Sequence, residues 1–163
     1  MNRTRAAILA CVACSIAVAL SAVPASAKTI VLRFFSKQVY SSFTGPTGLP
    51  VPPMTAPAVG DRFSFASNDY RGNHRHHAKR PFASDRVDCV VISAATALCN
   101  GQLALGGAML FADNFKVNLV TMSAPPKVKI TGGTIQYRHA RGTIAVKNVG
   151  KTNNSDDTVR FTP

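Results

Sequence analysis

Turn residues divide this chain into short segments with β-strand patterns, about one every ten residues. In one segment Phe63 and Phe65 alternate with polar residues, and in a later one Ile144 and Val146 do the same. This period of two predicts strands with one buried face, and no stretch shows the period of a helix. Roughly eight antiparallel strands that close on themselves leave no free sheet edge and enclose a small volume. We therefore predict an all-β fold, an antiparallel closed β-barrel of about eight strands.

The segment Lys129–Gly150 has the clearest pattern. Gly132 and Gly133 directly follow an apolar run, and glycine takes positive φ angles without steric cost. We therefore predict a tight turn at these two glycines, between two strands of a hairpin or β-corner. Beyond it, the pattern predicts a strand over 143–149, a turn over 153–156 and a last strand over 158–161.

The first 27 residues have the three parts of a secretory signal peptide. Two arginines precede an apolar run over 6–23, and a cleavage site of small residues ends at Ala27. We predict that residues 1–27 are removed and that residues 28–163 form one secreted domain, without a membrane span in the mature chain. The alternatives are a transmembrane helix in the same run and a lipoprotein anchor at Cys11 or Cys14.

Cys89 and Cys99 are the two cysteines that remain after this cleavage. The pattern from 85 to 105 predicts two strands joined by a turn near 93–95. In that register position 92 faces 96, position 90 faces 98, and Cys89 faces Cys99 across neighbouring strands, close enough for a bridge. A disulfide is the expected state in an oxidising compartment. The alternative is a free, reactive thiol at Cys89.

Residues 41–60 contain five prolines and three glycines. Proline donates no backbone hydrogen bond, so this composition predicts neither a strand nor a helix. We expect an exposed, extended loop, which acts as a lid, as an arm between subunits or as a plain surface connection.

The chain has one histidine cluster, His74, His76 and His77, in a polar turn region. Together with Asp69 these side chains could bind zinc or copper, since imidazole and carboxylate suit both metals. In a strand, however, His77 points away from the other two, and no fourth ligand stands at a defined spacing. The alternative interpretation is a solvated basic loop, or a loop over the mouth of a pocket, with no metal bound.

The sequence contains 19 Lys and Arg residues against 7 acidic residues, and no glutamate. Such an excess of positive charge attracts anionic partners such as a cell-wall polymer, lipid headgroups or nucleic acid. The basic residues are scattered and no nucleic-acid motif accompanies them, so we expect no specific nucleic-acid partner. Loose association with an anionic cell-wall polymer, or a solubilising surface charge without a target, fits better.

Several short motifs together resemble a known family. They are Gly60-Asp61 before a strand, Cys89 before an apolar run, Gly106-Gly107 before a long strand, and the pattern ITGGT..YR.ARGT over Ile130–Thr143. The last motif is the specific one. Over 60–161 the chain resembles the allene oxide cyclase and dirigent superfamily of small β-barrels, in particular secreted dirigent-like proteins of bacteria.

This resemblance implies an eight-stranded barrel with an apolar cavity, assembled as a trimer. Dirigent proteins steer the coupling of phenoxy radicals and allene oxide cyclases close a ring on a fatty-acid skeleton, both by holding a reactive ligand in one conformation. Neither needs a metal or an organic cofactor. The resemblance thus implies a barrel that binds a small apolar or phenolic ligand and directs its reaction stereochemically. The alternatives are a non-catalytic, envelope-associated binding or structural protein and an allene-oxide-cyclase-type isomerase.

The chain departs from the family pattern at two points. Ile135 stands where a further glycine usually follows the GGT motif, and the pocket glutamate of the cyclases has no counterpart because the chain has no glutamate. Aspartates would have to move protons instead. The candidates are Asp61, Asp69, Asp85, Asp88 and Asp113.

Tyr137, Arg138 and Arg141 lie inside the specific motif. The arginines could contact an anionic or phenolic ligand at the mouth of the barrel, with Tyr137 beside them. The alternative is structural: an arginine beside a turn pairs with an aspartate or binds backbone carbonyls, and the tyrosine packs in the core or at its rim.

Overall fold

In the part of the chain that the structure describes, nine β-strands form one antiparallel sheet. The computed structural model describes residues 28–52, 56–121 and 127–163, so the predicted signal peptide over 1–27 lies outside the described residues. The strands are β1 (Ile30–Thr44), β2 (Arg62–Arg71), β3 (Ala83–Ser93), β4 (Thr96–Leu105), β5 (Ala108–Asn118), β6 (Val128–Ile130), β7 (Gly132–Gly133), β8 (Arg141–Asn148) and β9 (Ser155–Thr162). A 3-10 helix over Ile135–Tyr137 precedes β8. No helix in these three ranges is long and apolar enough to cross a membrane.

The sheet curls into a nearly closed barrel, as predicted. Its strand order is β6-β8-β9-β1-β2-β3-β4-β5-β7, so β6 and β7 stand at its two ends. These two strands are consecutive in the chain and only Thr131 separates them. β6 pairs with β8, β7 pairs with β5, and the amide of Thr131 donates to the carbonyl of Phe111 on β5. β6 and β7 are thus two parts of one strand that closes the barrel, so the described residues contain nine strands where about eight were predicted.

The interior of the barrel holds two apolar clusters. One contains Phe34, Leu110 and Phe161, and the other contains Phe63 and Val91. Each cluster draws on several strands, because alternate side chains of every strand point inward. Phe63 and Phe65 face inward on β2, with ring centroids 5.5 Å apart, as the alternation of the sequence predicted.

Strand β1 is longer than predicted. Residues 41–44 were expected to begin the loop, but they continue β1 and pair with β2 up to Thr44 and Arg62. That part of the loop prediction is wrong because the first proline of the segment is Pro46, which leaves the amides of 41–44 free to pair. The register shifts between Gln38 and Tyr40, so a bulge at Val39 lets the long strand bend with the barrel.

The β3–β4 hairpin carries the predicted disulfide. Cys89 pairs with Cys99 in the register, and a disulfide joins them. The predicted partners at 90 and 98 are also correct, whereas 92 does not face 96. Ser93 pairs with Thr96 instead, because the register shifts between Val91 and Ser93. The turn therefore consists of residues 94 and 95, and no free thiol is present at Cys89.

The prediction of a turn at Gly132 and Gly133 is wrong. Both residues lie in β7, and neither has a positive φ angle. Gly133 is needed for another reason: a Cβ atom there would collide with the carbonyl oxygen of Met109 and lie 2.8 Å from Tyr137. Gly106 and Gly107 do have positive φ angles, of 54° and 87°, and they form the turn between β4 and β5.

Candidate functional site

The interior of the barrel contains a cavity of about 340 Å³. This volume lies in the range of small-molecule sites, which enclose about 300–1,000 Å³. Members of both apolar clusters line it, and Val87, Ile144 and Val146 add to the apolar wall. Its polar side chains include Ser36, Gln38, Ser67, Asp85, Ser155 and Asp157. A small apolar molecule with a few polar groups therefore fits the cavity.

Three aspartates come together at the polar side of this cavity. Asp69 ends the inward row of β2, Asp85 follows the buried Ala83 in that of β3, and Asp157 follows Ser155 in that of β9. Ser36 of β1 pairs with Asp69, Ser67 pairs with Asp85, and Phe34 pairs with Asp157. The register of four neighbouring strands thus assembles the cluster from residues far apart in the sequence. We call Asp69, Asp85 and Asp157 the carboxyl cluster.

The three carboxyls have different surroundings. Asp69 is fully buried and Asp157 is 9% exposed, while Asp85 is half-buried and lines the cavity. The hydroxyl of Ser36 donates a hydrogen bond of 2.8 Å to Oδ2 of Asp85. Among the described residues, no donor reaches either carboxylate oxygen of Asp69, or Oδ1 of Asp157. The cluster is therefore short of hydrogen-bond donors.

The pKa of Asp69 is raised to about 9, mainly by burial and then by the negative charge of Asp85. Contact with the carboxyl of Asp85 and the charge of Asp157 act in the same direction, whereas the nearby hydroxyl of Ser36 opposes them. Two carboxylates cannot bond to each other unless one carries a proton. With a pKa of about 9, Asp69 keeps its proton at neutral pH and can donate it to Asp85.

Burial also raises the pKa of Asp157, to about 7. The charges of Asp85 and Asp156 contribute to this increase, and a hydrogen bond with Ser155 works against it. A carboxyl with this pKa exists in both protonation states near neutral pH. It can therefore give a proton to a bound molecule or take one from it, which is the property required of a general acid or base.

The other predicted aspartates lie away from this cluster. Asp61 is buried, and its Oδ2 accepts a hydrogen bond of 2.7 Å from the amide of Ala58, which fixes the chain before β2. Asp88 binds Arg86 and Ser64, and the hydrogen bond from Arg86 lowers its pKa. Asp113 accepts a hydrogen bond from the hydroxyl of Thr131. Of the five candidates, Asp69 and Asp85 belong to the carboxyl cluster.

Asp157 was not predicted from the sequence. The run from Asn153 to Asp156 has the composition of a turn, but β9 already begins at Ser155. The signal was present in the alternation of Asp157, Val159 and Phe161, all of which face the interior.

The cavity is not lined by the three motif residues that could contact a ligand, Tyr137, Arg138 and Arg141. Tyr137 packs edge-on against Phe161, with ring centroids 5.3 Å apart. Arg141 donates through Nη1 to the carbonyls of Thr131 and Ala140, and Arg138 donates to the carbonyl of Ile135. These contacts fit the structural alternative, in which the arginines bind backbone carbonyls. A ligand contact by any of the three stays a prediction.

The histidines lie on the outside of the barrel. Nδ1 of His74 lies 2.6 Å from Oδ2 of Asp156, within hydrogen-bond distance, and the ring of His77 packs against Phe35 and Tyr70. Asp69, the carboxylate proposed to join them, faces the interior. In the described ranges no group of three histidine, cysteine or acidic residues is arranged to hold a metal ion.

Known structures share this architecture. A pyocyanin demethylase superposes with a TM-score of 0.55 and 18% identity, over 82% of this chain and all of the other. A pterocarpan synthase dirigent protein superposes with a TM-score of 0.51 and 18% identity, over 83% of this chain and 86% of the other. The chain has the dirigent fold. No protein-family profile and no curated protein matches its sequence. The dirigent fold confirms the resemblance inferred from the motifs, and at this identity the likeness concerns the fold alone.

Proposed function

We propose that this barrel binds a small apolar or phenolic molecule in its cavity and directs the stereochemistry of its reaction. The observation that supports this most directly is the open apolar cavity with the carboxyl cluster at one side. A packed interior would have favoured a purely structural protein. In the proposal the apolar wall holds the ligand in one conformation, and the cluster supplies or accepts a proton.

The two structural neighbours are named for the demethylation of pyocyanin and for the synthesis of pterocarpans. The phenylalanines of this cavity would suit an aromatic ligand. The proposal includes removal of residues 1–27, secretion and assembly as a trimer. The disulfide between Cys89 and Cys99 supports a destination outside the reducing cytosol.

Binding in the cavity is tested with 2-naphthol, a fluorescent phenol, and two matched variants. Val146→Phe fills the cavity, whereas Val31→Phe makes the same change on the outer face, where Val31 is 42% exposed. We expect the first variant to lose binding and the second to keep it. Equal binding by both variants would place the phenol outside the cavity and contradict the proposal.

Directed reaction is tested by adding an external one-electron oxidant and a panel of phenols. We expect at least one coupling product with an enantiomeric excess, which Val146→Phe abolishes. Racemic products throughout the panel would remove the directing role and leave a binding protein.

An isomerase of the allene-oxide-cyclase type has less support. The disulfide removes the thiol of Cys89 from any chemistry, so such an activity would have to depend on the carboxyl cluster alone.

A second candidate function, attachment to an anionic envelope polymer, is favoured by one outer face of the barrel. On β6, β8, β9 and β1 the exposed side chains include Lys129, Arg141, Lys147, Arg160 and Arg33. Lys129, Thr143, Arg160 and Val31 form one row across the four strands. In the described ranges, the one ion pair of a lysine or arginine joins Arg86 to Asp88 on β3, outside this face. The face is therefore free to bind anions.

Polyphosphate binding at increasing salt concentration tests this attachment. Lys129→Glu should weaken the binding and reduce its salt dependence, whereas Lys116→Glu, the same charge change on β5, should have a smaller effect. Equal effects would show a response to net charge rather than to this face.

A further inference from the structure

The charge inside the barrel is opposite to the charge outside. The chain has a formal net charge of +12, yet the acidic side chains Asp85 and Asp157 line the cavity. Arg86 is the one cationic residue among the described lining residues, and its guanidinium does not neutralise them. Its Nε lies 2.9 Å from Oδ2 of Asp88, and its side chain is 56% exposed. The cavity thus presents carboxylates that are not paired with a protein cation.

Among the residues that line the cavity, Asp157 shows this lack of a partner most clearly. It lines the cavity and is only 9% exposed, and its Oδ1 is buried without a hydrogen-bond donor. A buried acceptor without a hydrogen-bond partner destabilises the folded state, and it does so more strongly when it is charged. Asp85 beside it receives one hydrogen bond, from Ser36. A bound group with positive charge and an N–H donor would satisfy both residues.

The apolar wall completes such a site. Phe63 and Phe65 line the same cavity, and aromatic rings attract cations through their faces. A flat ring system would pack against them while its positive end lies at the carboxylates.

We propose that the cavity is selective for small aromatic cations, in which a positively charged nitrogen lies against Asp157 and Asp85 and the ring system packs on the apolar wall. This inference rests on the proposed function and names the chemical class of its ligand. The positive outer surface does not oppose such a ligand, because salt screens charges beyond about 8–10 Å whereas the carboxylates act at contact in a less polar medium.

Two probes of the same shape test the proposal: 1-naphthylmethylammonium, which carries its positive charge and N–H donors throughout pH 6–8, and 1-ethylnaphthalene, its neutral counterpart. At pH 8 we expect the cation to bind about tenfold more tightly or better, as expected for a direct ion pair in a partly buried site. Binding of the cation should strengthen from pH 6 to pH 8 as Asp157 loses its proton, because its pKa is about 7. Binding of the neutral probe should not show this increase.

Three variants identify the residues responsible. Asp157→Asn should remove most of the preference for the cation and its pH dependence while leaving the neutral probe bound. Asp85→Asn should weaken the preference independently. Asp113→Asn removes the same charge at an exposed residue of β5, outside the cavity lining, and should leave both affinities unchanged.

Equal affinity for the two probes, or a preference that survives both Asp157→Asn and Asp85→Asn, would overturn the inference. If both probes bind equally and Val146→Phe blocks them, the proposed binding cavity is retained and only its cation selectivity is wrong. If neither probe binds and no phenol of the panel binds either, both the inference and the proposed function fail.

Discussion

The hydroxyl of Ser36 on β1 donates a hydrogen bond of 2.8 Å to Asp85 on β3, across the intervening strand β2. Asp69 of β2 is the register partner of Ser36, so the bond passes over the most deeply buried carboxyl of the barrel. The bond gives Asp85 a donor, whereas Asp69 depends on its own proton for a partner. Because the hydrogen of the Ser36 hydroxyl goes to Asp85, Asp85 accepts a hydrogen bond, whereas the neighbouring Asp69 can only donate one through its own proton.

The first prediction is that the free energy of unfolding falls as the pH rises from 5 to 9. Folding raises the pKa of Asp157 to about 7 and of Asp69 to about 9, from the ordinary aspartate value of 3.8. Between the low and the raised pKa the native state holds a proton that the unfolded state has lost, so raising the pH favours unfolding. Each retained proton contributes a slope of about 1.4 kcal/mol per pH unit. The Asp157 contribution ends near pH 7 and that of Asp69 near pH 9.

Urea unfolding at intervals of one pH unit measures this slope. The double variant Asp69→Asn/Asp157→Asn should flatten it, whereas Asp88→Asn, at a carboxyl whose pKa is lowered, should not. A stability that rises from pH 5 to 9 in the unmodified protein would show that the two carboxyls are ionised in the native state.

The second prediction is that Asp69→Asn stabilises the protein at pH 8, by about 1–3 kcal/mol. The amide has nearly the shape of the acid, cannot ionise, and can donate to Asp85 as the protonated acid does. The gain should shrink at pH 5, because less free energy is needed there to retain a proton that the unfolded aspartate has lost. Thermal unfolding at the two pH values measures the difference, and a loss of stability at pH 8 would contradict the assignment of the buried proton to Asp69.

The third prediction separates the two adjacent glycines of β7. Gly133→Ala should destabilise the barrel by about 2 kcal/mol or more, because the added Cβ would collide with the carbonyl oxygen of Met109. Gly132→Ala should be tolerated, because the nearest atom to its Cβ would be 3.5 Å away. Urea unfolding of both variants gives the comparison. Equal losses of stability in the two variants would mean that the backbone flexibility of glycine, rather than the close approach of Met109 to Gly133, explains both effects.

The fourth prediction concerns Ile135, which has a φ angle of 52° and is 64% exposed. The left-handed conformation costs a β-branched residue about 1–2 kcal/mol, and its exposed side chain offers little burial in return. Ile135→Gly should therefore stabilise the protein by about 1 kcal/mol. Ile135→Ala, which keeps a Cβ, should gain less. A destabilised glycine variant would reveal a contact of the isoleucine in an assembly of several chains.

Local alternation was enough to predict much of the interior. It placed Phe63, Phe65, Ile144 and Val146 on inward faces, and it paired Cys89 with Cys99, because the side-chain period of a strand follows directly from backbone geometry. The resemblance carried by 130–143 led to the correct fold.

Two features could not be inferred in this way. Glycine is equally compatible with a positive φ angle and with a close approach between strands, so the sequence alone did not show that Gly133 serves the second purpose. Asp157 follows a run of polar residues typical of a turn, and a carboxyl buried inside a barrel is contrary to the usual exposure of aspartate. The position of Asp157 in the barrel depends on the pairing of β9 with both β8 and β1, and this strand order could not be predicted from the sequence.

The disulfide has a further consequence for damaged protein. Cys89 and Cys99 stand on opposite sides of the exposed turn at 94 and 95, so a protease that cuts this turn leaves the two fragments covalently linked. The fragment with β1 to β3 and the fragment with β4 to β9 would remain one molecule until a reductant separates them. A single cut at this hairpin therefore does not separate the two parts of the barrel.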